Sequence, residues 1–148
     1  MKIVVGSDHA GHALKELIKN LLSKRHIEVV DVGTTSEDSC DYPDFGKMVA
    51  EKVSKGEFDR GILVCGTGIG MSIVANRFPG VRAALCNDSY MAQMSRRHND
   101  ANVLVMGGRI IGPGLATEIT NVWLDTSFEG GRHKERLDKI DIPLSSVG

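Results

Sequence analysis

Gly61-Ile62-Leu63-Val64-Cys65-Gly66-Thr67-Gly68-Ile69-Gly70 reads as a buried strand, Gly61 to Val64, running into a cysteine and three alternate glycines. A helix-compatible stretch, Met71 to Arg77, follows at once. Glycines so spaced let the main chain turn sharply and bring bare N–H groups close to a ligand, which makes the loop a candidate anion cradle at a helix N-terminus. Cys65 sits at its rim. The positive end of a helix favours thiolate over thiol, so Cys65 is a candidate base or nucleophile. A cysteine that ends an apolar strand is more often a small buried hydrophobe, and the local sequence leaves both roles open.

The same alternation extends in both directions. Towards the N-terminus, Lys2 to Gly6 is a β-branched strand, Ser7 to His12 a turn, and Leu14, Leu17, Ile18, Leu21 and Leu22 mark one face of a helix. Ile27 to Val32 is a second strand, and Thr34 to Pro43 is a polar loop. The helix opened by Pro43 runs through Met48, Val49 and Val53 to Gly56. Beyond the glycine loop, Val81 to Leu85 is a fourth strand, and Asn87-Asp88-Ser89 caps a helix through Met91, Met94 and Arg97. Asn102 to Met106 is a fifth strand, and Pro113 opens a helix through Leu115, Ile119, Val122 and Trp123. A last helix, about 131–140, carries Arg132 and Arg136, with Pro143 marking its end. Strands alternating with helices throughout predict one α/β domain over residues 1–148, a parallel sheet covered on both faces.

At 148 residues the chain suffices for one domain with a real core. A formal net charge of -1 argues against non-specific nucleic-acid binding, and three cysteines without paired spacing point to a reducing compartment. No apolar run is long enough for a targeting core or a bilayer span, so the expectation is a cytoplasmic protein that binds neither nucleic acid nor membrane.

Ligands of such sheets bind beyond the carboxyl ends of the strands, where strand order reverses. Asp8-His9 after the first strand and Cys65 to Gly70 after the third would flank that crevice. His98-Asn99 ends a helix leading into the fifth strand, which lies at the opposite edge in a simple layout, so one subunit does not bring it in. The loop lacks the lysine of a P-loop, since Met71-Ser72 follows Gly70, and a dinucleotide fingerprint would need its third glycine at Met71. A cysteine phosphatase would need an arginine just after the loop, where Met71 stands. His9 and His12 lack a third metal ligand at motif spacing. Arg132 and Arg136, one turn apart, suit a phosphate clamp or, among Lys134, Glu135 and Lys139, a solvated charged face. Cys40 and Cys86 read as structural.

Taken together, Gly6-Ser-Asp-His-Ala-Gly11, Asp41-Tyr-Pro43, Cys65-Gly-Thr-Gly-Ile-Gly70, Arg97-His-Asn99, Gly107-Gly-Arg109 and Glu129-Gly-Gly-Arg-His133 resemble the ribose-5-phosphate isomerase B family and its sugar-phosphate isomerase relatives over almost the whole chain. The resemblance implies a Rossmann-like, doubly wound three-layer α/β/α fold with five strands. It implies a homodimer, often paired into tetramers, and interconversion of D-ribose 5-phosphate and D-ribulose 5-phosphate through an enediolate with no metal or other cofactor. On the same resemblance Cys65 is the base, His98 opens the sugar ring and Thr67 assists proton movement. Asp8, His9 and Tyr42 bind sugar, the N–H groups from Gly66 through Gly68 and Ile69 to Gly70 hold the enediolate oxygen, and Arg109, Arg132 and Arg136 bind phosphate. The site is shared, with His98, Asn99 and Arg109 coming from the partner. One branch of the family has Glu at the position of Met71 and lacks the cysteine; Cys65 and Met71 match the cysteine branch. Six-carbon substrates, allose or galactose 6-phosphate, and a non-catalytic sugar-phosphate or nucleotide sensor are the alternatives.

Overall fold

The computed structural model describes residues 1–142, 145 and 147, and is built on one sheet of five parallel strands: β1 (Lys2–Ser7), β2 (Glu28–Asp31), β3 (Arg60–Cys65), β4 (Ala83–Leu85) and β5 (Val103–Gly107). The helices are α1 (His12–Lys24), α2 (Tyr42–Ser54), α3 (Ile69–Ala75), α4 (Ser89–Arg97), α5 (Pro113–Asp125) and α6 (Arg132–Leu137), and a 3-10 turn (His9–Gly11) precedes α1. The helix stop expected at Pro143 lies outside the described residues.

Strand order is β2-β1-β3-β5-β4. The reversal falls between β1 and β3, as the placement of Asp8-His9 and Cys65 to Gly70 requires. The fifth strand is not at the edge: β5 pairs with β3 on one side and β4 on the other, with Cys65 opposite Gly107. Right-handed crossovers then put α1 and α4 on one face and α2 and α3 on the other, and α5, which follows the last strand, packs on the α1/α4 face. The core divides accordingly. Ile3, Val5, Ile62, Val64, Leu104 and Met106 pack with Leu14, Ile18, Leu22, Ala92, Ile119 and Trp123, while Val4, Leu63, Cys65, Val103 and Val105 pack with Val49, Val53 and Met71. The period-two alternation along each strand thus assigns Cys65 to the α2/α3 face.

Local sequence accounts for most helix starts. Pro43 stands in the first turn of α2. Asp88 caps α4, accepting the Met91 N–H at 2.7 Å. The helix after the glycine loop starts earlier than Met71, at Ile69, because Gly68 takes the left-handed conformation (φ 82°) and acts as its N-cap. A side chain there would also meet Leu85 Cδ1 at 2.5 Å, so glycine is needed twice over.

Candidate active site

Four chain segments meet at the carboxyl end of the sheet. The exits of β3 and β5 are stitched together, with Gly108 N–H donating to Cys65 O at 2.8 Å and Arg109 N–H to Gly66 O at 3.0 Å. The exit of β1 joins them through Asp8 N–H on Val64 O at 3.3 Å. Cys65 is buried, 4 % exposed, and its Sγ accepts the Gly68 N–H at 3.2 Å. A main-chain donor aimed at sulfur is complementary to a thiolate, the nucleophilic and basic form of cysteine. Thr67 Oγ1 accepts the Ile69 N–H at 3.2 Å, which occupies a lone pair and leaves its proton to donate outwards. The N–H groups of Gly68 and Ile69, expected to face a substrate oxygen, are therefore committed inside the loop.

Around this loop stand polar side chains with one functional edge free. Asp8 is buried and caps the 3-10 turn, its Oδ1 accepting Gly11 N–H at 3.1 Å. His9 Nδ1 accepts the Cys40 N–H at 3.2 Å, so a neutral His9 carries its proton on Nε2 as a donor. The ring of Tyr42, at the start of α2, lies against Gly70, where a Cβ would come within 2.5 Å of Cε2 and Cζ. Arg109 lies with this group in the same chain, its Nη1 3.5 Å from the position of a Gly66 Cβ. The resemblance assigns Arg109 to the partner's side of a shared site; within one chain its N–H bond to Gly66 O sets it beside its own loop.

A second group forms at the amino end. His98 is the C-cap residue of α4, and its ring stacks on His133 of α6, centroids 4.3 Å apart and planes 12° from parallel. Glu129 Oε1 lies 3.7 Å from His98 Nε2 and 3.9 Å from His133 Nε2. Burial, with His98 beside it, holds the His133 imidazole below its ordinary value. The loop bearing Asn99 is braced by Arg82, whose Nε donates to the Asn99 and Asp100 carbonyls at 3.1 and 3.0 Å. Glu129 N–H donates to Arg97 O at 3.1 Å, which fixes the start of α6 beside α4. Arg132 and Arg136 therefore belong with His98 and Asn99, not with the Cys65 loop of their own chain. β3, from Arg60 to Cys65, separates the two groups, which at strand rise is roughly 17 Å.

Residues 3–140 match the family model described as Ribose/Galactose Isomerase. The chain belongs to that family. Ribose-5-phosphate isomerase B of Escherichia coli is 50% identical over 139 residues, 94% of this chain and 93% of that one. Among solved structures, the Clostridium thermocellum ribose-5-phosphate isomerase B is similar with a TM-score of 0.93 and 57% identity, covering 95% of each chain. The Mycoplasma genitalium enzyme of the same name, solved with bound ribulose-5-phosphate, has a TM-score of 0.91 and 42% identity, covering 94% of this chain and 93% of that one. The Rossmann-like α/β fold is that of these isomerases.

Within this isomerase fold, the contacts distinguish the cysteines. Burial pushes the Cys86 thiol up to about 11, and it packs among apolar groups. Cys40, read as structural, instead borders the site, Sγ 3.9 Å from His9 Nδ1. Sequence reasoning also passed over Glu129 and His133 as individual groups; Glu129 lies just before α6 and His133 in its first turn, and both face His98. Among the described residues no helix is long and apolar enough to cross a membrane.

Proposed function

We propose that this isomerase interconverts D-ribose 5-phosphate and D-ribulose 5-phosphate at a site shared between two copies of the chain. The observation that best supports the chemistry is Cys65, buried at the strand end with a main-chain N–H on its sulfur. Its thiolate takes the proton from C2 of the open-chain aldose, an enediolate forms, and the proton returns to C1 while O2 becomes the ketose carbonyl. The N–H groups of Gly66, Thr67 and Gly70 stabilise the developing oxyanion, and Thr67 moves the proton between the two oxygens. Asp8, His9 and Tyr42 hold hydroxyls; Arg109 joins them from the same chain.

His98 opens the furanose by protonating the ring oxygen as the anomeric hydroxyl loses its proton. Because His98, Asn99, Arg132 and Arg136 gather at the far end of the sheet, they serve the Cys65 loop of a second copy. Ile69 and Ile73, one turn apart on α3 beside the loop and each 55% exposed, offer an apolar surface for that copy to cover. No metal takes part: His9 Nδ1 accepts the Cys40 N–H, His12 Nδ1 faces Thr34 O at 3.3 Å, and Asp8 Oδ1 accepts the Gly11 N–H.

Turnover assays over pentose and hexose phosphates test the assignment, because the family description also covers galactose isomerases. Ribose 5-phosphate should give the highest kcat/KM; preference for a six-carbon ester would reassign the substrate, and binding without turnover would make the protein a sensor. Cys65→Ala should abolish exchange of the C2 proton with solvent while phosphate-ester binding survives. Dialysis against a chelator should leave the rate unchanged.

A further inference from the structure

Two imidazoles and a carboxylate converge where α4 meets α6. One donor atom from each of His98, Glu129 and His133 lies within 4.8 Å of the other two, and among the described residues this is the one such trio of His, Cys, Asp or Glu. The Nε2-to-Oε1 separations of 3.7 and 3.9 Å are too long for hydrogen bonds, so the three donor atoms do not satisfy one another. The main chain that carries Glu129 and His133 is nevertheless anchored. Glu129 N–H is bonded to Arg97 O and His133 N–H to Gly130 O, each at 3.1 Å.

We propose that His98, Glu129 and His133 form a binding site for a zinc-class divalent cation. Two imidazoles and one carboxylate are a donor set that such ions accept, with a fourth position left for water or an anion. Zinc bonds of about 2.0–2.1 Å in a tetrahedron put donor atoms roughly 3.3 Å apart, so the two imidazole-to-carboxylate separations, 3.7 and 3.9 Å, must close by only about half an ångström, and the two imidazole nitrogens start within 4.8 Å of each other. In-plane lone pairs of nearly parallel stacked rings do not meet at one point, so one ring must turn for both to reach one ion. His98 is free to do so, its side chain 43% exposed, as is Glu129 at 46%, while His133 at 9% is the fixed point. Arg132 and Arg136 on the same helix oppose a bare cation and favour an anion in the open position, so the site binds more weakly than a closed structural one. Its occupancy removes His98 from the reaction. That consequence, unlike the binding, rests on His98 acting in ring opening.

The test is a titration of the full-length protein with cobalt(II), read by its visible absorption, followed by competition with zinc in calorimetry. Wild type should bind one equivalent per chain with a tetrahedral spectrum and no thiolate-to-cobalt charge-transfer band. Losing a partner beyond the ligands already costs ten- to a hundredfold in affinity, so His133→Asn and Glu129→Gln should each lose about a hundredfold or more. Glu129→Gln changes a half-exposed side chain and keeps the test valid if His133→Asn misfolds. A thiolate band, which would move the ion to Cys65 or Cys40, or unchanged affinity in Glu129→Gln would overturn the site. Zinc should also inhibit turnover in proportion to occupancy. Full occupancy with undiminished turnover would leave the cation site standing and remove His98 from the reaction.

Discussion

Mixing two dead variants should restore activity, and by a fraction that geometry fixes. Within one chain Cys65 ends β3 while His98 lies where α4 turns back towards the start of β5, so the two are separated by the length of the strand, roughly 17 Å. That gap exceeds the reach of a five-carbon sugar phosphate. In a two-fold dimer each site instead takes Cys65 from one copy and His98 from the other. Let Cys65→Ala and His98→Ala subunits exchange in equal amounts: half the dimers become mixed, and each mixed dimer has one site with both lesions and one with neither. About a quarter of wild-type sites should reappear, a figure set by symmetry alone. The assay is ribose 5-phosphate turnover before and after exchange, with mixed dimers verified by mass spectrometry of the intact assembly. If both residues served a site within one chain, every site would keep one lesion. A verified mixture that stays inactive would refute the shared site.

Changing Arg132 or Arg136 to Ala should weaken ribose 5-phosphate far more than free ribose, and equal losses would return the pair to a solvated face. Gly68→Ala should cut kcat by tenfold or more, roughly 1.4 kcal/mol in the barrier, because a side chain there meets Leu85 and displaces the N–H held by Cys65; unchanged kcat would deny the loop geometry its role. Asp31 accepts from the buried Lys15 ammonium and from Lys19, each at 2.9 Å. Burial opposes the Asp31 charge, yet hydrogen bonds from Lys19, Lys15 and the Gly33 N–H outweigh it and hold the carboxyl below its ordinary value of 3.8. Its contribution to stability is therefore complete above that value and is lost as pH falls through the lower folded one. Asp31→Asn should cost about 3 kcal/mol in urea unfolding at pH 7, since Lys15 loses its counter-charge, and should flatten the acid dependence; a loss under about 1 kcal/mol would mean Thr34 O, the other acceptor of Lys15, suffices.

The elements were legible because each carries its own period: Leu14, Ile18 and Leu22 for a helix, Ile3 to Val5 for a strand buried on both faces. Strand order was not, because it depends on which crossovers pack together rather than on any one segment. A signal existed nonetheless. Val103 to Met106 is an unbroken apolar run and is wholly buried, as an interior strand must be, while Ala83 to Leu85 is short and only half-buried, as an edge strand can be. The loop motifs were legible as chemistry, but not the approach of Cys40 to His9 or of Glu129 to His98, contacts between segments 31 residues apart in each case. Nor did the motifs reveal that Arg109 stays with its own loop, which only the pairing of Cys65 with Gly107 makes evident.

The division of the site follows from the sheet. In an all-parallel sheet every strand exit lies at one end, so residues at or just beyond the strand ends, Asp8, Cys65 and Arg109 among them, gather without further help. Each crossover helix returns the chain to the other end, so a residue at a helix terminus, such as His98, is delivered away from them. No strand reordering can change this, because the separation runs along the strands rather than across them. On the proposed function, proton transfer at carbon would fall to the rigid group, where main-chain bonds bind the three exits together, and ring opening and phosphate binding to helix ends that a second copy would have to bring. The proposed shared site would then make the pairing of subunits a condition of catalysis, since an isolated copy would keep Cys65 without the groups proposed to open and hold its substrate.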